Sequence, residues 1–216
     1  YTPLHGAGSP FVEKTLQKDG FSQMRVVEEQ MTQDGLFSTV EQPNPEEVSA
    51  LLMAIEQGEQ EGAELVIGTE PDCDRIGVAV RHKGKFELLT GNQIGSLLTE
   101  FLTETMENKK NGTLIKTVVT SDLGACIAEK KGLKVLSTLP GFKYIGQKMD
   151  EISDFLLGYE ESLGYLAGTH VRDKDGVSTA MLVCEMVAYY KSNSMTLVDV
   201  LEQFYRTHGY FLDKQQ

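Results

Sequence analysis

Hydrophobic and polar positions follow two different spacings in the first part of the chain. The segment "QPNPEEVSALLMAIEQG" predicts an amphipathic helix, because Asn44 can cap it and Pro45 suits its first turn. The apolar residues expected on its buried face are Val48, Leu51, Leu52 and Ile55. A strand from 65 to 68 follows, and alternating apolar positions on both sides of Lys83-Gly84 predict a hairpin.

The second part of the chain alternates strands with helices. It opens with a long helix whose expected buried side comprises Ile94, Leu97, Leu98, Phe101, Leu102 and Met106. The segments "TLIKTVVT", "KVLST" and "DFLLGYE" predict strands, "DLGACIAEKKG" and "GFKYIGQKMDEIS" predict helices, and two more helices are expected near 177–190 and 197–205. This alternation predicts α/β layers with a partly parallel sheet. The fold class expected for the whole chain is α/β, with two consecutive three-layer α/β domains and mixed, mostly parallel sheets. The turn near residue 90 places the expected domains at 1–89 and 90–216.

The composition narrows the class of protein. With 40% hydrophobic and 24% charged residues, the chain is typical of globular proteins, and no apolar run approaches the ~20 residues of a transmembrane helix. A net charge of -12, from 20 Lys and Arg against 32 Asp and Glu, argues against general nucleic-acid binding. The chain begins at Tyr1 without an initiator Met or a signal-peptide pattern, so we expect a piece of a longer protein.

The cysteines are few and widely spaced. Cys73, Cys126 and Cys184 contain no Cys-x-x-Cys pair, which argues against a disulfide framework and predicts a reducing, cytoplasmic environment. Asn111 opens a glycosylation pattern, Asn-Gly-Thr, that carries no weight without a secretory context. Because the net charge is negative and no apolar run is long enough to span a bilayer, neither a nucleic acid nor a membrane is an expected partner.

An acidic loop is the strongest chemical signal in the sequence. In "ELVIGTEPDCDRIGVAV" an apolar strand opens into Glu70, Asp72 and Asp74, and Arg75 follows at once. Carboxylates this close raise one another's pKa unless a cation neutralises them. The loop lies at the carboxyl end of a strand, where open α/β sheets hold their ligands. Oxygen ligands at this density suit Mg²⁺.

Three other interpretations compete with a magnesium site. An EF-hand fails, because Arg75 stands where its loop needs glycine and Arg81 where it needs the closing glutamate. A phosphohydrolase could use Asp72 as nucleophile and Asp74 as acid, although Ile76 stands where such enzymes usually have threonine. A solvated turn, with Arg75 pairing one carboxylate, is the third. A metal is favoured, and the loop alone leaves the last two open.

Five blocks in order resemble the α-D-phosphohexomutases, the phosphoglucomutase and phosphomannomutase superfamily. They are "YTPLHGAG", "GTEPDCDRIGVAV", "PGFKYIG", "GYEESLGYLAG" and "RDKDGVSTAMLVCEM", and they cover nearly the whole chain. The details "EQPNPEE", "TGNQIGSLL" and "FKYIG" are most similar to bacterial phosphoglucomutases and phosphopentomutases. The resemblance implies that 1–89 is the family's second domain and that 90–216 is its third. The first domain, with the phosphorylated serine, and the fourth, with a phosphate-binding loop, are then missing partners from the same protein.

The resemblance also implies a reaction. The parent protein would be a Mg²⁺-dependent isomerase that interconverts glucose 1-phosphate and glucose 6-phosphate through a phosphoserine and a bisphosphate intermediate. A mannose phosphate or a pentose phosphate is the alternative substrate. The fragment alone is expected to be inactive. A Mg²⁺-dependent sugar-phosphate phosphohydrolase and a non-catalytic sugar-phosphate-binding module are more distant alternatives.

Residues of the acidic loop acquire roles from the same resemblance. Glu70, Asp72 and Asp74 match the metal ligands, although Glu70 stands where the family usually has aspartate. Arg75 matches a residue that faces the transferring phosphoryl group, and Lys143 matches a lysine at the rim of the active site. We therefore expect a magnesium site in this loop and catalytic roles for the two cations.

Substrate-binding residues are implied outside the acidic loop. Glu160 and Ser162 match positions that bind sugar hydroxyls, which a carboxylate and a hydroxyl can do. Arg172 and Lys174 could meet phosphate, or they could pair with the neighbouring aspartates in a solvated loop. His5 is expected near the mouth of the active site.

Overall fold

The computed structural model describes residues 1–106 and 112–212. The elements before residue 90 are α1 (Ser9–Lys18), a 3-10 turn (Glu28–Gln30), α2 (Val48–Glu61), β1 (Leu65–Thr69), β2 (Ile76–His82) and β3 (Lys85–Leu89). The three strands form an antiparallel sheet in the order β1-β2-β3. An isolated parallel bridge between Thr2 and Gly68 adds to the free edge of β1.

The second sheet is mostly parallel. The strands of this sheet and the helices around it are, in chain order, α3 (Gly91–Thr105), β4 (Thr113–Thr117), α4 (Leu123–Lys130), β5 (Lys134–Thr138), α5 (Phe142–Glu151), β6 (Phe155–Glu160), β7 (Gly164–Ala167), α6 (Gly176–Ser192) and α7 (Leu197–His208). The strand order is β5-β4-β6-β7, in which β4 runs parallel to β5 and β6, while β7 runs antiparallel to β6.

The expected α/β fold is confirmed. The second sheet is mostly parallel, as expected, whereas the three strands of the first sheet pair antiparallel. Strands β2 and β3 form an antiparallel hairpin because Lys83 and Gly84 turn the chain with positive φ angles of 48° and 83°. One buried core includes side chains from both sides of residue 90, among them Val78 of β2, Leu97 of α3 and Leu157 of β6. The division at 89/90 stays a prediction.

The prediction for α2 is wrong in two details. The helix begins at Val48 rather than after Asn44, whose side chain instead accepts a hydrogen bond of 3.1 Å from the Glu46 N–H and closes a turn. Val48 and Leu52, expected on the buried face, are 52% and 45% exposed. The residues that α2 buries are Ala50, Leu51, Ala54 and Gly58. Apart from Leu51 these residues are small and let the helix lie close to the sheet, as at Gly58, where an added Cβ would lie 3.1 Å from the Phe86 ring.

Two elements lie where the sequence patterns gave no signal, and one expected core residue is exposed. Helix α1 buries only Val12 and Leu16, so its apolar face is too narrow to stand out. Strand β7 has four residues and lies inside the block interpreted as a substrate loop. Met106 follows the last turn of α3 and is 37% exposed, because the helix ends before it can face the core. The glycosylation pattern at Asn111 lies outside the described residues.

Backbone contacts join the acidic loop to the second sheet. An isolated antiparallel bridge links Arg75 to Gly164 of β7, and the Ile76 N–H donates to the Leu163 carbonyl at 3.3 Å. The Gly176 N–H at the start of α6 donates to the Cys73 carbonyl at 3.0 Å. The fold thus brings the acidic loop, the β6–β7 turn and the start of α6 together.

Membrane-spanning segments are not found in the two described ranges, since no helix there is long and apolar enough to cross a bilayer.

Candidate active site

The acidic loop between β1 and β2 folds as a tight turn. Cys73 adopts a positive φ of 61°, and its N–H donates to the Glu70 carbonyl at 2.9 Å. The Glu70 N–H donates in turn to the Arg75 carbonyl at 3.2 Å. One oxygen from each of Glu70, Asp72 and Asp74 can be chosen so that all three lie within 4.8 Å of one another. The turn therefore gathers the carboxylates that the sequence places at alternate positions.

Arg75 neutralises Glu70 within the loop. Its Nε donates to Glu70 Oε1 at 2.6 Å, its Nη2 donates to Oε2, and its Nη1 lies 3.6 Å from Glu46. Glu70 is only 9% exposed, and burial raises its pKa to about 7. The guanidinium opposes this rise, whereas the Asp74 carboxylate adds to it. Both oxygens of Glu70 are thus occupied by a two-point contact with arginine.

Asp74 retains one unused oxygen. Its Oδ2 accepts from Lys174 Nζ at 2.9 Å, while its buried Oδ1 has no hydrogen-bond partner among the described residues. Burial opposes ionisation of Asp74, but the nearby positive charges of Lys174 and Arg75 favour the carboxylate, and the pKa of Asp74 is lowered. An orphaned carboxylate oxygen beside the exposed Asp72 fits a hard divalent cation such as Mg²⁺. Asp72 and Asp74 Oδ1 could therefore serve as ligands directly, whereas Glu70 could do so only if Arg75 shared one of its two oxygens with the cation.

A second group of predicted site residues lies on the second sheet. Glu160 ends β6, is buried, and accepts the Gly141 N–H at 2.7 Å just before α5. Burial raises the pKa of its carboxyl, and the Gly141 N–H and Lys174 oppose the rise. Ser162 lies half-buried in the β6–β7 turn, and Lys143 is exposed in the first turn of α5. Glu160 is thus a buried carboxylate that a backbone N–H holds in place.

Arg172 and His5 are bound to partners outside this group. Arg172 Nε donates to Asp150 of α5 at 2.7 Å, and Nη1 donates to two carbonyls of its own loop. His5 Nδ1 lies 2.9 Å from the Thr32 carbonyl, and Nε2 lies 2.7 Å from Thr39 Oγ1. Both ring nitrogens of His5 therefore contact the segment before α2, and a contact of His5 with substrate stays a prediction.

A buried lysine escaped the sequence analysis. Lys116 ends the apolar part of β4 and is 4% exposed; its Nζ donates to the Thr120 carbonyl at 2.8 Å and lies 3.0 Å from Asp122. Beside it, Glu161 accepts from the hydroxyls of Thr117 and Thr120 at 3.2 and 2.9 Å. The sequence signal that could have found Lys116 is a single lysine within an apolar strand. A lysine in such a strand is a candidate for burial, and a buried lysine almost always has a partner.

The arrangement combines three chemical capacities at the carboxyl ends of β1, β4 and β6. Carboxylates of the acidic loop can hold a divalent cation, and Arg75 and Lys174 beside them are positive charges that can attract anions. Glu160 and Ser162 can bind hydroxyl groups. A ligand that carries both phosphate and hydroxyls suits such a site.

Known proteins are similar to this chain over almost its whole length. The family model "Phosphoglucomutase/phosphomannomutase, alpha/beta/alpha domain II" matches residues 1–84, and "alpha/beta/alpha domain III" of that family matches residues 90–208. A "Probable phosphomannomutase" of Haemophilus influenzae is 41% identical over 217 residues, which cover 100% of this chain and 44% of the relative. A phosphoglucomutase of Staphylococcus haemolyticus is 37% identical over 218 residues, which cover 99% of this chain and 40% of the relative.

A solved structure supports the fold. The crystal structure of pp63/parafusin, a phosphoglucomutase from Paramecium, superposes with a TM-score of 0.73 at 20% identity, over 97% of this chain and 37% of that one. This likeness concerns the fold alone. The chain spans less than half the length of these relatives. Its two matched domains show that the chain belongs to the phosphoglucomutase/phosphomannomutase family.

Proposed function

We propose that this chain forms the second and third domains of a Mg²⁺-dependent phosphosugar mutase that interconverts glucose 1-phosphate and glucose 6-phosphate. The observation that carries the proposal is the carboxylate cluster of Glu70, Asp72 and Asp74, with its oxygens within 4.8 Å of one another and an arginine beside it. Phosphoryl transfer depends on positioning and charge neutralisation more than on covalent chemistry from the protein. A cluster of this kind beside basic and hydroxyl-binding groups supports that chemistry.

The acidic loop would hold the cation and the phosphoryl group. Asp72 and Asp74 offer the open oxygens, and Glu70 would be the third ligand. Bound Mg²⁺ would supply Lewis-acid neutralisation of phosphate charge. Arg75 is fixed by its two bonds to Glu70, so its remaining nitrogen can meet the phosphoryl group without losing that anchor.

The turn between β6 and β7 would bind the sugar. Glu160 is held through one oxygen by the Gly141 N–H, which leaves its second oxygen to accept from sugar hydroxyls. Ser162 would donate and accept at a neighbouring hydroxyl. Lys143 and Lys174 would attract the anionic substrate to a chain whose net charge is negative.

Mannose 1-phosphate is the second candidate substrate. The observation that favours it is the 41% identity to the Haemophilus protein named as a phosphomannomutase. Glucose and mannose differ in the orientation of one hydroxyl, and such differences are read by few contacts. Glu160 and Ser162 would carry that discrimination.

Phosphorus NMR of the full-length protein tests the proposal. With Mg²⁺ and a sugar bisphosphate present, we expect glucose 1-phosphate to become glucose 6-phosphate faster than mannose 1-phosphate or ribose 1-phosphate is converted, without free phosphate. The 216-residue chain alone is the matched control and is expected to show no turnover, because the phosphoserine and the phosphate-binding loop belong to the other two domains. Release of inorganic phosphate would indicate a phosphohydrolase. Binding of the sugar phosphate without conversion would indicate a non-catalytic module.

A further inference from the structure

Lys174 reaches the acidic loop from the other half of the chain. Its Nζ lies 2.9 Å from Asp74 Oδ2, and both side chains are mostly shielded from solvent. The backbone that carries it is fixed, because the Asp175 N–H donates to the Tyr165 carbonyl at 2.9 Å and the next residue donates to the acidic loop. Its stem passes over Gly164, where an added Cβ would lie 2.3 Å from Lys174 Cδ. The lysine is therefore directed at the loop by the fold.

The acidic loop thus has two internal cations of different kinds. Arg75 belongs to the loop and grips both oxygens of Glu70 with a planar fork. Lys174 is a point charge on a flexible stem, and it holds only one oxygen of Asp74. The second oxygen of Asp74 is buried without a hydrogen-bond partner in the described ranges. Of the two cations, Lys174 is the one that a divalent ion can displace with less loss.

We propose that Lys174 is an internal counter-ion of the metal site, which holds Asp74 in place until a divalent cation binds and then yields its place on that carboxylate. This inference rests on the proposed function, since it assumes that the acidic loop binds a metal. The ammonium and the metal compete for the charge of Asp74, so each weakens the binding of the other. Glu160 is close to the Lys174 stem, because a Cβ added at Gly164 would contact that stem and lie 3.6 Å from Glu160 Oε2. The displaced ammonium would therefore remain near Glu160, where it can meet an anionic substrate. Lys174 would thus change partners when the metal arrives.

Mn²⁺ alone, titrated into the full-length protein and followed by electron paramagnetic resonance, tests the competition. Lys174→Met should bind Mn²⁺ about tenfold more tightly than the wild type, because one positive charge beside the ion is removed. Lys191→Met is the matched control. Lys191 pairs with Glu64 at 2.9 Å, and Glu64 precedes β1, whereas the acidic loop follows the other end of that strand. Removal of this ammonium should leave the Mn²⁺ affinity unchanged. Equal or weaker binding by Lys174→Met would overturn the inference.

A second measurement needs no variant and so avoids a failure to fold. The rate at which an acylating reagent modifies the Lys174 amine, read by mass spectrometry, should rise when Mn²⁺ is added to the wild type. An unchanged or slower rate at saturating Mn²⁺ would contradict the displacement.

The two proposals fail in different ways. If the wild type does not bind Mn²⁺, or if Asp72→Asn binds it equally well, the proposed metal site fails and the role of Lys174 fails with it. If binding is lost in Asp72→Asn but is equal in the wild type and Lys174→Met, only the role of Lys174 is overturned.

Discussion

Asp74→Asn is expected to weaken Mg²⁺ or Mn²⁺ binding by roughly 100-fold or more, since it removes the charge of an open ligand. Turnover by the full-length protein should fall at least as far. The amide leaves Lys174 without its carboxylate partner, so the variant loses an attraction to the metal and gains an uncompensated positive charge. Isothermal titration with Mn²⁺ and a coupled assay for glucose 6-phosphate measure the two effects.

Asp154→Asn is the matched control for that substitution. Asp154 pairs with Lys134 at 2.9 Å. It directly precedes β6, whereas Glu160 is the last residue of that strand, so the two carboxylates lie at opposite ends of β6. Its removal should leave metal affinity and turnover within about twofold of the wild type, as is usual for exposed pairs. Equal effects of the two substitutions would show that Asp74 is no metal ligand.

Gly176→Ala is expected to lower the free energy of unfolding by about 2 kcal/mol. A Cβ at this position would lie 2.5 Å from the Cys73 carbonyl oxygen and 3.2 Å from Ile76 Cγ2, so the start of α6 must move away from the acidic loop. That movement breaks the 3.0 Å bond from the Gly176 N–H and shifts the neighbouring β6–β7 turn relative to the loop. Turnover should therefore fall by roughly tenfold or more, because small misplacements of reacting groups are costly.

Gly35→Ala separates crowding from the general effect of replacing a glycine. No atom lies within 4 Å of an added Cβ at Gly35, so stability and turnover should match the wild type within error. Urea unfolding and the coupled assay compare the two variants. If Gly176→Ala is as stable and as active as Gly35→Ala, the contact between α6 and the acidic loop does not hold the site together.

Local sequence patterns predicted the acidic loop because its chemistry is contained within six residues. Alternate carboxylates and the following Arg75 were interpreted as a cation site or as an internal pair. The internal pair is present between Arg75 and Glu70, whereas the cation site stays a prediction that the cluster of carboxylate oxygens supports. Glu70 is paired with Arg75, while Asp72 and Asp74 keep open oxygens. The departure from aspartate at Glu70 is therefore accompanied by a two-point contact with arginine.

Contacts between distant parts of the chain could not be predicted in the same way. Lys174 was expected to meet phosphate or the aspartates beside it, but its partner is Asp74, 100 positions earlier, and only the folded chain brings them together. His5 was expected at the mouth of the site, yet its ring is held by Thr32 and Thr39 in a segment without regular structure. No local periodicity encodes either pairing.

The α2 error has a similar origin. Periodicity assigned Val48 and Leu52 to the buried face, whereas the sheet accepts the small residues Ala54 and Gly58 because they allow close approach. Hydrophobicity alone does not report how near a helix lies to its neighbour.

Crystals of the full-length protein grown with Mn²⁺ would show whether the acidic loop is the metal centre of a phosphosugar mutase. An anomalous difference map should place one strong peak within coordination distance of oxygens from Asp72 and Asp74, with a Glu70 oxygen as the third protein ligand. A map with no peak at the acidic loop at saturating Mn²⁺, or with its peak elsewhere, would show that the acidic loop is not the metal centre.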